Sequence, residues 1–331
     1  MESAIPQGKL AEIVREARSR TGVPAVAAGL FVDGSVELAA DGDCAPETPF
    51  RVASVSKWLT ASLVSACGVL DDEARRWLSH TAGLRPEVAE PLPDVCQGLW
   101  SYANSGYWAA GARCADAAGT SFADAMRTRI LEPFGLAETS YEEPPGAAEG
   151  HIQEGETGHR PAGHPEYPVS RFPSGGLWST VGDLLRFAGR QLDDPYGLQS
   201  PQIEALGAEY CLGCWRRELD GGRIAFDHEG SVAGFQSLLL IVPKERLALA
   251  VLTNSWRGSG AIRRVVKALG LVPAPSTAEV QPLEEGSFDL GAAQAVVAGT
   301  RVTESETDPI SGARPLSGCT GRGGSFRARQ R

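Results

Sequence analysis

Apolar residues at Leu10, Ile13, Val14 and Ala17 recur at helical spacing, and Thr21-Gly22 with Pro24 supply a stop, so an amphipathic helix is predicted over 10–20. Two short apolar runs, 25–32 and 36–40, flank Asp33-Gly34, a dipeptide that suits a tight hairpin turn, and two antiparallel strands are predicted there. The segment 49–53 reads as extended, and helical periodicity then returns with Val55, Leu59, Leu63, Val64 and Cys67. A helix over 54–70 follows, with Ser54 placed to cap it. From 71 to about 200 the chain is rich in glycine and proline, with short helical patterns at 107–118, 122–131 and 181–191. Strand patterns resume at 210–219, 223–228, 234–242 and 247–254, with 243–246 turning the last pair, and a helix over 259–269 closes the patterned region. Strands at both ends with helices between them give an α/β (α+β) class: one sheet from 1–53 and 205–272, and a mainly helical insertion at about 71–200.

The 331 residues are 42% hydrophobic and 22% charged, enough to bury a full core. A net charge of −10 repels phosphate backbones and anionic lipid, which argues against a nucleic-acid partner. The longest apolar stretches, 235–242 and 247–252, stop far short of a bilayer span, so no membrane association is expected. The first residues carry Glu2, Lys9, Glu12, Arg15, Glu16, Arg18 and Arg20 and lack the apolar core of an export signal, which predicts a cytoplasmic protein. Seven cysteines, an odd number without a small-scaffold framework, suit reduced thiols. Cys211 and Cys214 form a C-x-x-C without a second half and read as two small residues in a strand; His151, His159 and His164 read as loop residues. Neither a metal nor a cofactor is expected. From 273 to 331 the composition turns to Pro, Gly, Ser, Thr and charge and ends in an Arg/Gly run; it reads as a disordered tail dispensable for catalysis, too short and too poor in aromatics for RNA binding.

Ser54-Val55-Ser56-Lys57 is an S-x-x-K, and on a helix that spacing puts hydroxyl and ammonium on one face. Serine alone holds its proton at neutral pH, and a desolvated lysine can take or relay it. Tyr102-Ala103-Asn104 offers a phenol able to shuttle a proton and an amide able to hold a substrate. His228-Glu229-Gly230-Ser231 ends a predicted strand, where Gly230 lets backbone lie close to a substrate and the Ser231 N–H points into the same space. Each motif alone is weak.

Taken in this order, the three resemble the class C β-lactamase family and its relatives: D-aminopeptidases, D-Ala-D-Ala carboxypeptidases, carboxylesterases and cytosolic transacylases. The surroundings agree, in Leu78-Ser79-His80-Thr81-Ala82-Gly83-Leu84, in 133–140, in Gly175-Gly176 with Ser179-Thr180, and in 230–237. The resemblance covers about 8–271. It implies an antiparallel sheet flanked by helices with the active site in the groove beside the helical insertion. It also implies Ser54 as acylated nucleophile, Lys57 and Tyr102 as its proton-handling partners, Asn104 as positioning amide, and the backbone N–H groups of Ser54 and Ser231 as oxyanion hole. His228 stands where β-lactamases and penicillin-binding proteins carry the lysine of K-T-G, which removes a permanent cation and favours ester or amide chemistry over antibiotic hydrolysis. Glu229 either points to the far face of its strand or repels acidic substrates. The expected activity is a serine hydrolase of esterase or amidase type acting on a small-molecule ester or amide. A transacylase passing the acyl group to an amine or alcohol, a β-lactamase or D-Ala-D-Ala peptidase, and a non-catalytic binding protein of the same fold are the alternatives.

Overall fold

Both arms of the chain meet in one eight-stranded sheet, all of whose neighbouring strands run antiparallel. The computed structural model describes residues 8–88, 98–154, 158–163 and 166–274, with two further paired segments at Thr303–Glu304 and Leu316–Ser317. The expectation of a disordered tail otherwise falls outside the described residues.

The strands are β1 (Ala25–Val32), β2 (Ser35–Gly42), β3 (Ile203–Ala205), β4 (Ala208–Tyr210), β5 (Trp215–Leu219), β6 (Arg223–Val232), β7 (Phe235–Val242) and β8 (Leu247–Thr253), arranged β2-β1-β8-β7-β6-β5-β4-β3. Asp33 and Gly34 take φ of 46° and 89°, the double positive φ that the predicted hairpin turn requires. The joint between the two arms of the chain pairs β1 with β8, Ala28 opposite Val251. The sequence pattern misses β3, whose three residues are too few to show alternation. It also runs one strand across 210–219, where the chain breaks: Cys211 N donates to Cys214 O at 2.8 Å, and Gly213 at φ 84° completes a turn. Cys211 and Cys214 therefore lie in a buried turn and not in a strand.

Helices cover both faces. On one, α1 (Leu10–Thr21) and α6 (Gly258–Ala268) pack Leu10, Val14, Ala17, Ala261 and Val265 against Val26, Ala28, Leu249 and Val251. On the other lie α2 (Ser56–Ala66), α3 (Asp72–Leu78), α4 (Asn104–Ala118) and α5 (Val181–Gln191). The S-T-x-x-D segment has a local reason: Thr180 Oγ1 caps α5 by accepting from Asp183 N at 3.2 Å. Asp183 in turn accepts from Glu138 N at 2.8 Å and from Thr139 Oγ1 at 2.9 Å, which fixes the preceding loop. His151 and His159, expected in a loop, sit on a short ladder, His151–Glu154 paired with Gly158–Pro161; His164 lies outside the described residues. Among those residues no helix is long and apolar enough to cross a membrane.

Candidate active site

The nucleophile segment is held before it turns. Phe50–Arg51 pairs with Trp178–Ser179, and Val52 N donates to Leu177 O at 3.0 Å. Ala53 then takes φ 47°, a left-handed conformation strained for a residue with a Cβ, and a tight turn over Ala53–Val55 leads into α2. Ser54 lies in that turn. The cap position of α2 is Val55, with no side-chain bond, so the expected capping role of Ser54 gives way to a hydroxyl left for another partner.

That partner is Lys57, which is fully buried. Its Nζ donates to Ser54 Oγ at 3.1 Å and to the Ser174 carbonyl at 2.8 Å, and it lies 4.8 Å and 5.3 Å from the ring centres of Tyr102 and Tyr107. Burial, opposed by the Glu87 charge, pushes the ammonium down to about 7, so an appreciable share is neutral amine near pH 7. Tyr102 is half-buried and its phenol is hydrogen-bonded to Ser54; desolvation drives its ionisation far above the usual tyrosine range, against that bond. A base poised near neutrality and a phenol that keeps its proton thus converge on one serine oxygen.

One wall of the site is the start of α4. Asn104 Nδ2 donates to Glu87 Oε1 at 2.5 Å, while its buried Oδ1 has no hydrogen-bond partner among the described residues. Glu87 also meets Arg171 at 3.7 Å, and Arg171 lies over the Trp108 ring. Sequence reasoning missed Glu87 because no local pattern ties it to Asn104 or Lys57. The opposite wall is β6. A Cβ on Gly230 would overlap Ser237 Oγ and the Val52 carbonyl, so only glycine lets β6 lie against the nucleophile turn at Val52–Ala53. Ser237 Oγ donates to Val52 O at 2.7 Å and closes the same junction. His228 is buried, and burial with the Lys57 charge pushes its imidazole down to about 3. Glu229 takes the far-face alternative: it shares the face of Ala225 and interacts with Arg217 and Arg263, the latter on α6.

A serine oxygen in reach of a buried lysine nitrogen and a half-buried tyrosine phenol, set beside this sheet, is an arrangement that acyl-transfer chemistry can use. Residues 75–271 match the family model described as Beta-lactamase, and the chain belongs to that family, whose members are serine hydrolases or acyltransferases. It is 28% identical over 316 residues to penicillin-binding protein 4 of Amycolatopsis lactamdurans, covering 72% of this chain and 82% of that protein. The crystal structure of SurE is similar with a TM-score of 0.71 and 25% identity, over 89% of this chain and 84% of SurE. A class C β-lactamase from Rhodobacter sphaeroides is similar in fold, with a TM-score of 0.68 and 18% identity over 80% of this chain and 98% of that one.

Proposed function

We propose that this enzyme cleaves a small ester or amide through an acyl-Ser54 intermediate and releases the acyl group to water. The observation that carries the reading is the buried Lys57 nitrogen, 3.1 Å from Ser54 Oγ and poised near neutrality. As neutral amine, Lys57 takes the Ser54 proton while Oγ bonds to the carbonyl carbon, and the backbone N–H groups of Ser54 and Ser231 receive the charge on the carbonyl oxygen. Collapse breaks the bond to the leaving oxygen or nitrogen, which takes a proton from Tyr102; the Lys57 ammonium returns one to Tyr102. Water then attacks the acyl-enzyme, its proton passing to Lys57, and the Ser54–acyl bond breaks as Ser54 is reprotonated. Asn104 Oδ1 accepts an N–H of the substrate. A His228 without charge at neutral pH holds a substrate carboxylate less firmly than a lysine would, so esters and amides are favoured over penicillins and cephalosporins.

The test is fluorophosphonate labelling followed by mass spectrometry. Turnover is then measured on activated esters, on D- and L-amino acid amides and on nitrocefin, with and without small amines. An adduct on Ser54 and acid products from esters or amides are expected. Absence of the adduct overturns the reading, amide products in the presence of amines make the enzyme a transacylase, and efficient nitrocefin turnover without esterase activity makes it a β-lactamase.

A further inference from the structure

Three buried side chains that the acyl-transfer steps leave unused join the two walls of the site. His80, in the Leu78 to Leu84 segment, takes φ 61° directly after α3. Its carbonyl accepts from Ser101 N at 2.8 Å and its Nδ1 accepts from Ala103 N at 3.0 Å, so the residues on either side of Tyr102 both hang on His80. The His80 and Tyr102 rings lie 4.3 Å apart between centres. His80 Nε2 meets Tyr210 Oη at 3.2 Å, Tyr210 Oη meets His228 Nε2 at 3.3 Å, and His228 Nδ1 meets the Glu229 carbonyl at 2.6 Å. His80, Tyr210 and His228 are all buried.

Hydrogen-bond logic fixes the tautomers of both histidines. Nδ1 of His80 faces a backbone N–H and must present its lone pair, so a neutral ring carries its proton on Nε2. Nδ1 of His228 faces a carbonyl and must carry the proton, which leaves Nε2 as acceptor. Tyr210 accepts from His80 and has two acceptors in reach, His228 Nε2 and the Tyr107 hydroxyl, whose own proton goes to Leu78 O; donation to His228 is the arrangement that satisfies Nε2. Both nitrogens of His228 are thereby engaged inside the protein, and an added proton on either imidazole would break a bond. Burial is the main cause that keeps both rings neutral; Lys57 from α2 adds to it on both and Arg217 from β5 on His228, while the backbone bonds at Ala103 and Glu229 act in the opposite sense. Tyr102, Tyr107 and Cys214 complete the titratable surroundings, Tyr107 donating to Leu78 O at 2.7 Å.

We propose that His80, Tyr210 and His228 are positioning residues. They form a neutral relay of fixed tautomer that sets Tyr102 on one wall, and the Gly230–Ser231 backbone on the other, at working distance from Ser54. His228 holds the oxyanion strand in register and exchanges no proton with the substrate. Only the kinetic arm of the test rests on the acyl-Ser54 reading.

Nitrogen NMR of the full chain labelled at histidine decides the tautomers without any turnover. Nε2–H on His80, Nδ1–H on His228 and no titration of either ring between about pH 5 and 9 are expected. The kinetic arm follows the acylation burst with p-nitrophenyl acetate, with melting temperature as the check on folding. Tyr210→Phe, which deletes only the bridging hydroxyl, slows acylation by roughly ten- to a hundredfold and leaves the acid limb of the pH profile in place. His228→Gln, which can accept from Tyr210 but cannot titrate, recovers acylation to within about tenfold of the wild type, while a folded His228→Ala stays well below it. Titration of His228 in step with kcat/KM, or a folded His228→Gln as slow as His228→Ala, would overturn the proposal and make His228 an acid–base group. A wild type that neither bursts nor forms a fluorophosphonate adduct on Ser54 removes the acyl-enzyme reading, and the tautomers still decide the relay.

Discussion

The two faces of the central sheet are built on opposite terms. Under α1 and α6, Leu10, Val14, Val26, Ala28, Leu249, Val251 and Val265 bury aliphatic surface with few polar demands. Across the sheet, a larger apolar cluster with Trp58, Leu59, Leu63 and Phe187 also encloses Lys57, His80 and His228. Each of these loses hydration on burial, and each shifts toward its neutral form in consequence. The second face therefore offsets, from its own apolar core, the cost of keeping an amine near neutrality beside a serine.

The sharpest way to break this contrast is Ser54→Ala. It removes one oxygen from a turn, so labelling and turnover should vanish while the melting temperature holds; a fluorophosphonate adduct on the variant would contradict it. Lys57→Met comes next. Acylation should fall by about a thousandfold or more for want of the base, yet the variant should melt higher, because a thioether in this pocket has no charge to desolvate. Calorimetry and burst kinetics on one sample read both signs.

On the other face, Leu249→Ala should cost about 2–5 kcal/mol by denaturant titration and leave kcat of the folded fraction close to wild type. The smallest effects are those of pH. Since Lys57 must lose its proton to act, kcat/KM should rise about tenfold per unit as pH approaches 7 from below and level off above it. Glu87 raises the Lys57 value, so Glu87→Gln should move that limb to lower pH and leave the variant relatively more active at pH 6. A limb moving upward would show that Glu87 acts mainly through Asn104.

Elements that depend on local periodicity were legible in the sequence. The helix expected at 181–191 is observed as Val181–Gln191, because apolar spacing and the Thr180 cap agree. The Asp33-Gly34 hairpin likewise needs only two residues to declare itself. Ser54 and Lys57 were legible as a spacing, but their environment was not. A buried ammonium depends on Ser174, which is 117 residues away in sequence, and no window around Lys57 contains that contact. The same holds for the pairing of His80 with Tyr210, separated by 130 residues, and for Glu87. Tyr210 itself was read only as the first residue of a strand, when it ends one and bridges two histidines. The Cys211–Cys214 turn escaped because its residues are apolar and continue the strand pattern on either side.

The register of β1 against β8 also sets an order of events during synthesis. Ala28 finds Val251 only after nearly all of the patterned chain has been made, and until then the two arms of the sheet stay unjoined. The hairpin of β1 and β2 must wait on the growing chain with one edge unpaired, a form open to wrong pairing and slow to resolve because the missing contact is so distant in sequence. Through that interval α2 has no finished core to lie on, so Lys57 stays hydrated and keeps its proton, and Ser54 is an ordinary alcohol. Reactivity toward a fluorophosphonate, followed in chains of increasing length, should appear only once Leu247–Thr253 is present; earlier labelling would show that the site assembles before the two arms of the sheet are joined.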